Sequence, residues 1–148
     1  MKALKQLGQN LANLNPDKIF IALVDENDDF IISLNQDGQL FDLGIDSTGR
    51  LLSTIGGDYA ASTVEKKKSE GLPFDRITLF DTGAFYDSFI VKARKDEFEI
   101  IANTLKDGND LQDDWGNKIL GLTDESIEEL QGEFLQQLID LIKEKAHQ

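Results

Sequence analysis

The sequence predicts an α+β fold, with a small antiparallel sheet packed against an N-terminal helix and a long C-terminal helix. Two observations predict this fold. Apolar residues recur at helical spacing near both ends of the chain, and two short segments of alternating apolar and polar residues are joined by a polar turn. The chain has 148 residues, enough to bury a core without disulfides or metal. No internal repeat or linker divides it, so we expect one domain over residues 1–148.

The N-terminal part is predicted to be helical. Residues 2–14 form an amphipathic pattern with four leucines at helical spacing: Leu4, Leu7, Leu11 and Leu14. Asn15, Pro16 and Asp17 then give a helix-start signal, namely a capping side chain, a proline and an acid. Residues 19–24 are apolar all round and fit a buried helix or a strand; the start signal favours a helix.

The C-terminal helix has the clearest pattern. Thr123 is the expected cap, acids crowd the first turns, and Lys143 and Lys145 lie near the end, as the helix dipole favours. One apolar stripe runs through the helix: Ile127, Leu130, Phe134, Leu138, Leu141 and Ile142.

A β-hairpin is predicted over residues 89–94 and 97–102, around a Lys95-Asp96 turn. We expect these residues to face the core: Phe89, Val91, Ala93, Phe98 and Ile100. Glu97 and Glu99 can then pair across the strands with Lys92 and Arg94 on the solvent side.

The remaining segments are shorter. Residues 30–34 have strand composition, 35–38 turn composition, and 40–52 the glycine spacing of a loop with short extended pieces. A helix is predicted over 60–70, with Ser62 or Thr63 as cap and Gly71 as its end. Residues 105–121 form a polar loop with a short helix around Trp115, which is either a core plug or an interface anchor.

Composition argues against an enzyme and against a cofactor. Cysteine is absent, and the one histidine, His147, lies next to the last residue, so thiol, zinc-thiolate and serine–histidine chemistry are not expected. No phosphate-binding glycine motif occurs, and the acidic turns lack the glycine and glutamate positions of a calcium loop. Catalysis by a pair of carboxylates stays open. No apolar run matches a membrane span or signal peptide, which predicts a soluble protein made in the cytoplasm.

The net charge of −13 is unevenly distributed. Residues 62–95 hold seven basic and five acidic residues, a net charge of +2, whereas residues 96–148 hold four basic and fourteen acidic. Such a chain is a poor binder of DNA phosphates. The charge favours solubility, a negative wall along which DNA can slide, or an assembly in which the basic middle of one subunit meets the acidic end of another.

Residues 77–93, ITLFDTGAFYDSFIVKA, are the most informative stretch. Asp81 is expected to cap a helix that begins at Thr82, and Phe85 and Phe89 are spaced to touch on one helix face. Gly83 is expected where a neighbouring backbone or element comes close.

This stretch resembles the motif of head–tail connector proteins of tailed bacteriophages, a family that includes tail-completion (neck) and virion-morphogenesis proteins. The residues that carry the resemblance are Thr78, Leu79, Asp81, Thr82, Gly83, Phe85, Ser88 and Phe89. Upstream, residues 58–68 resemble the tyrosine, threonine and lysine run of the family, followed by Gly71. The resemblance covers residues 40–93, and Phe85-Tyr86 departs from it, because one aliphatic residue is usual there.

The resemblance implies a structural virion protein: a neck or tail-completion subunit in a homo-oligomeric ring that joins the head connector to the tail. Its partners would be itself and other neck or tail proteins, without cofactor, membrane or sequence-specific nucleic acid, although DNA could pass through a negatively charged channel. The alternative is an acidic, non-enzymatic interaction or regulatory domain, of which a DNA mimic is one form.

Residues 51–71 are the candidate assembly loop, expected to be mobile and short of partners in one subunit. The residues proposed to act there are Leu51, Leu52, Ile55, Tyr59, Lys66, Lys67 and Lys68. The three lysines fit phosphate contacts or, more commonly, a solvated helix face. Trp115 is the candidate interface anchor.

Overall fold

The computed structural model describes residues 15–146. The helix predicted over residues 2–14, and His147, lie outside this range. The chain begins with helices α1 (Pro16–Glu26) and α2 (Asp28–Ser33), which continues as a π-helix (Leu34–Leu43). Short helices α3 (Ser53–Gly56), α4 (Ala61–Ser69) and α5 (Ala84–Asp87) follow.

Two small antiparallel sheets and two helices complete the fold. Strands β1 (Ile90–Ala93) and β2 (Phe98–Ile101) form one hairpin, and β3 (Leu105–Lys106) and β4 (Asn109–Asp110) form another. Helices α6 (Leu111–Trp115) and α7 (Asp124–Ala146) end the chain. The α+β prediction is confirmed, with β1 lying against α1 and α2.

Helix α1 begins as predicted. The Asn15 side chain accepts a hydrogen bond from the Lys18 N–H (3.2 Å), and Pro16 is the first helical residue. The helix interpretation of residues 19–24 is therefore confirmed. Ala22 and Leu23 pack against α7 through Phe134, Leu138 and Leu141.

Asn27, at the corner between α1 and α2, ties both helices to α7. Its amide nitrogen donates to Gln137 Oε1 (2.9 Å), and Gln137 Nε2 donates back to Asn27 Oδ1 (2.8 Å). The same Asn27 nitrogen also donates to the Leu23 carbonyl (2.8 Å), so the buried amide keeps both of its polar atoms paired.

The strand predicted over residues 30–34 and the turn over 35–38 are wrong, because both segments are helical. A run of only three consecutive apolar residues, 30–32, fits a buried helix as well as a strand. Two side-chain amides of this helix bind it to the segment before α7. Asn35 donates to the Ile119 carbonyl (3.0 Å) and accepts from the Gly121 N–H (2.9 Å). Gln39 donates to the Gly121 carbonyl (2.9 Å) and accepts from the Thr123 N–H (2.9 Å). Residues 40–43 belong to this helix too, and the extended part of the predicted loop is one bridge between Ile45 and Leu51.

The predicted hairpin over residues 89–102 is confirmed. Lys92 lies opposite Glu99, and Arg94 Nη2 is 3.1 Å from Glu99 Oε2. Phe89 and Ile100 are buried, whereas Ile90 is 50% exposed, so the alternation points as expected.

Helix α4 ends as predicted, but its cap differs. The first residue is Ala61 and the cap position is Ala60, without a side-chain hydrogen bond, so neither Ser62 nor Thr63 caps it. At its end Gly71 has a φ of +71°, and the Leu72 N–H donates to the Lys67 carbonyl (2.8 Å), which is the Schellman geometry.

The start of α7 is also confirmed. Thr123 Oγ1 accepts from the Ser126 N–H (3.1 Å), and Asp124 and Glu125 occupy the first turn. Between residues 15 and 146 no helix combines the length and apolar character that a membrane crossing needs.

Candidate interaction site

The two segments that carry the family resemblance meet at Thr78, which is fully buried. Its N–H donates to the hydroxyl oxygen of Tyr59 (3.0 Å), and its carbonyl accepts from the Tyr86 hydroxyl (2.6 Å). Burial raises the pKa of Tyr86, which keeps this hydroxyl a donor. Thr78, within the stretch of residues 77–93, is thus held by one tyrosine that precedes it and one that follows it.

Aromatic rings form the support beneath this site. Phe85 and Phe89 touch with a centroid distance of 5.0 Å, as their spacing predicts, and Phe80 meets Tyr86 edge-on at 5.1 Å. Phe85, Tyr86 and Phe89 are all buried. The aromatic pair that departs from the family pattern therefore belongs to the core.

The predicted role of Asp81 is wrong. Helix α5 begins at Ala84, two residues later than expected, and the Asp81 carboxylate accepts from Lys106 Nζ (2.8 Å) and Lys66 Nζ (3.4 Å). The hydrogen bond from Lys106 lowers the pKa of Asp81. Thr82 supplies the local turn contact instead, since its Oγ1 accepts from the Ala84 N–H (3.3 Å).

Gly83 is required for its backbone conformation. Its φ of +93° is one that residues with a Cβ avoid. An added Cβ would lie 3.6 Å from the Phe80 ring, an ordinary contact, so the expected close approach within the subunit is not observed.

The three consecutive lysines have three different environments. Lys66 is exposed and pairs with Asp81, whereas Lys68 lies 3.9 Å from Glu65 and 5.0 Å from the Phe74 ring centroid. Lys67 is only 6% exposed; its Nζ donates to the Phe80 carbonyl (2.6 Å) and lies 4.8 Å from the Tyr59 ring centroid. The solvated-face interpretation is therefore wrong for Lys67.

These groups line a cavity of about 270 Å³, which we call the lysine cavity. Its charged lining consists of Lys66, Lys67, Lys106 and Asp81. Tyr59, Phe80 and Trp115 supply aromatic walls. The ammonium groups can attract an anionic group of a ligand, and the aromatic walls can contact the apolar part of the same ligand.

Trp115, the last residue of α6, packs against α3 and is partly exposed. A Cβ added to Gly56 would come within 2.6 Å of the Trp115 ring and of the Asp114 carbonyl oxygen. The ring therefore contributes to the core, which agrees with the interpretation of Trp115 as a core plug. It also borders the lysine cavity. Its role as an interface anchor stays a prediction.

The candidate assembly loop is better packed than expected. Leu52 is fully buried, Ile55 and Tyr59 pack against the core, and only Leu51 is largely exposed, at 48%. The expectation that these apolar side chains lack partners in one subunit is wrong for three of the four. Whether the segment joins subunits stays a prediction.

Lys106 was missed as a site residue. It comes from the β3–β4 hairpin, whose turn residues Asp107 and Gly108 both have positive φ values. An Asp-Gly dipeptide is a strong signal for a tight hairpin, so the turn could have been found, although its proximity to Asp81 could not.

Within residues 15–146 no group of three metal-ligating side chains is positioned to hold an ion. Comparisons with protein-family models, curated proteins and solved structures gave no match. Residues 40–93, which carry the resemblance and which we call the family-like region, thus border a lysine-lined cavity that Lys106, Leu111 and Trp115 complete.

Proposed function

We propose that the chain is a structural virion protein of a tailed phage, a neck or tail-completion subunit that forms a ring between the head connector and the tail. The motif resemblance of residues 40–93 is the starting point. The observation that carries the proposal is that both resembling segments pack into one unit around Thr78, and that this unit bears a basic cavity in a chain of net charge −13.

Opposite charges in separate regions of one subunit favour head-to-tail contact between identical copies. Such contacts are heterologous, and they close into a ring when the rotation between neighbours divides a full turn. Apolar contact area is also present, because four large side chains in the family-like region are substantially exposed: Leu43, Leu51, Phe74 and Ile90.

The first test is direct imaging. Purified protein at high concentration should give ring-shaped particles in the electron microscope, and light scattering should report a mass that rises with concentration. Scattering of a single subunit at every concentration, with no rings, would contradict the proposal.

Leu51→Ser tests the candidate assembly loop. Leu51 is 48% exposed, so the variant should fold like the wild type and form fewer rings, and hydrogen exchange across residues 51–71 should slow on assembly. Ile142→Ser is the matched control, because this exposed isoleucine lies near the end of α7, outside residues 40–93 and outside the first turns of that helix. Equal ring formation by both variants would remove the loop from the interface.

The second candidate function is an acidic interaction domain that mimics DNA. The exposed glutamates of α7 favour it, because a regular row of carboxylates can stand in for phosphates. A monomer that displaces DNA from a basic partner protein would support this function over the ring.

A further inference from the structure

The lysine cavity carries a surplus of positive charge. Among the described residues, three ammonium groups line it, and the carboxylate of Asp81 is the one acidic side chain of its lining. Asp81 is shared by Lys66 and Lys106, whereas Lys67 donates to a backbone carbonyl. Each ammonium has three N–H donors, so the groups of residues 15–146 leave some donors around the cavity unused.

Lys67 makes this surplus unusual. Lys67 is only 6% exposed, yet no carboxylate of residues 15–146 lies within ion-pair distance of its ammonium group. A buried cation without a counter-charge is unfavourable, and a carbonyl oxygen and a tyrosine ring offset this only in part. An anion that enters the cavity would be attracted to all three ammonium groups.

The chain itself offers a suitable anion at the start of α7. Glu125, Glu128, Glu129 and Glu133 recur at helical spacing, and all four are exposed. Within residues 15–146 none of them forms an ion pair. We call this row the acidic face.

We propose that the lysine cavity of one copy receives carboxylates from the acidic face of a second copy. This inference rests on the proposed ring and names its contact. No residue of α7 lines the cavity, so within residues 15–146 the two complementary surfaces of one copy do not occupy each other and can meet two different neighbours. Each copy then offers one basic and one acidic surface, as a heterologous interface requires.

Charge exchange tests the contact. Lys66→Glu reverses the most exposed cation of the cavity (60% exposed), and Glu125→Lys/Glu129→Lys reverses the acidic face. Each variant alone should raise the dissociation constant for self-association about tenfold or more, measured by sedimentation velocity at low salt. An equimolar mixture should recover association, because each mutated surface then meets a surface of opposite charge on the other variant.

Lys68→Glu and Glu144→Lys are the matched controls. Lys68 lies on the same helix as Lys66 and is 49% exposed, but it does not line the cavity, and Glu144 lies on α7 beyond the acidic face. Both should associate like the wild type. The inference would be overturned if Lys66→Glu and the Glu125/Glu129 variant associated like the wild type, or if mixing them recovered no association. Rings formed by the wild type would still support the proposed function in that case.

A peptide titration separates this inference from the ring itself. A synthetic peptide of residues 121–138 should bind the full chain in calorimetry, and Lys66→Glu but not Lys68→Glu should abolish that binding. Peptide binding to a chain that stays monomeric would support the cavity and contradict the ring. Absence of peptide binding would overturn the inference. So would binding of inorganic phosphate in the cavity that leaves self-association unchanged.

Discussion

Asp81 joins two lysines that are far from it in the sequence, Lys66 fifteen residues before and Lys106 twenty-five residues after. Local sequence predicts a cap here, because a short carboxylate before Thr-Gly commonly accepts from free N–H groups. The two ammonium groups provide stronger, charge-assisted hydrogen bonds. Because their arrival depends on the β3–β4 hairpin and on α4, no local pattern could predict it.

Asp81→Asn should make the stability of the chain less dependent on pH. The folded pKa of Asp81 is lowered from 3.8, so its contribution is present above that value and is lost as the pH falls through the lower, folded pKa. At neutral pH the variant should be less stable by about 1 kcal/mol, and the difference should vanish in strong acid. Urea unfolding at several pH values measures this, with exposed Asp87→Asn as control; a difference that stays constant with pH would contradict the ion pairs.

Gly56→Ala should destabilise the fold. The added Cβ would lie 2.6 Å from the Trp115 ring and the Asp114 carbonyl oxygen, and overpacking of this kind costs about 1–3 kcal/mol. Gly132→Ala is the matched control, because Gly132 lies within α7 with free space around it and should gain about 0.5–1 kcal/mol. Thermal unfolding of both variants measures the pair, and a neutral Gly56→Ala would show that α3 and α6 are not tightly packed.

At the scale of elements, the sequence predicts those whose pattern is long or strictly alternating. Helix α7 has a stripe of apolar residues over many turns, and the β1–β2 hairpin alternates on both strands. The helix over residues 28–43 could not be predicted in this way. Its apolar run is short, and the groups that pair with Asn35 and Gln39 lie more than 80 residues away.

Gln39→Met should weaken the junction between the π-helix and the start of α7. Gln39 is only 2% exposed, and its loss leaves the Gly121 carbonyl and the Thr123 N–H without their partner. Unpaired buried groups cost about 1–3 kcal/mol each, so we expect a loss of about 2 kcal/mol or more in urea unfolding. Gln136→Met on the exposed side of α7 is the control, and equal stability of the two variants would show that water replaces the amide.

At the scale of the whole molecule, the charge distribution was readable from the sequence and the cavity was not. Counting residues locates a basic middle and an acidic end. The convergence of Lys66, Lys67 and Lys106 depends on tertiary packing, because β3 brings the third lysine to a helix about 40 residues earlier in the chain. The sequence therefore predicts the sign of the charge in each region of the chain, but not the place in the fold where positive charge concentrates.

Salt should act in opposite directions on the subunit and on its association. Raising salt from about 0.1 M to about 1 M shortens the screening length from about 10 Å to about 3 Å. The net charge of −13 then repels itself less, so the melting temperature of the subunit should rise slightly. The proposed contact between the lysine cavity of one copy and the acidic face of another should weaken over the same range, about tenfold or more in the dissociation constant measured by sedimentation. Association that strengthens with salt would instead assign the interface to apolar side chains such as Leu51 and Phe74, because salting-out favours apolar burial.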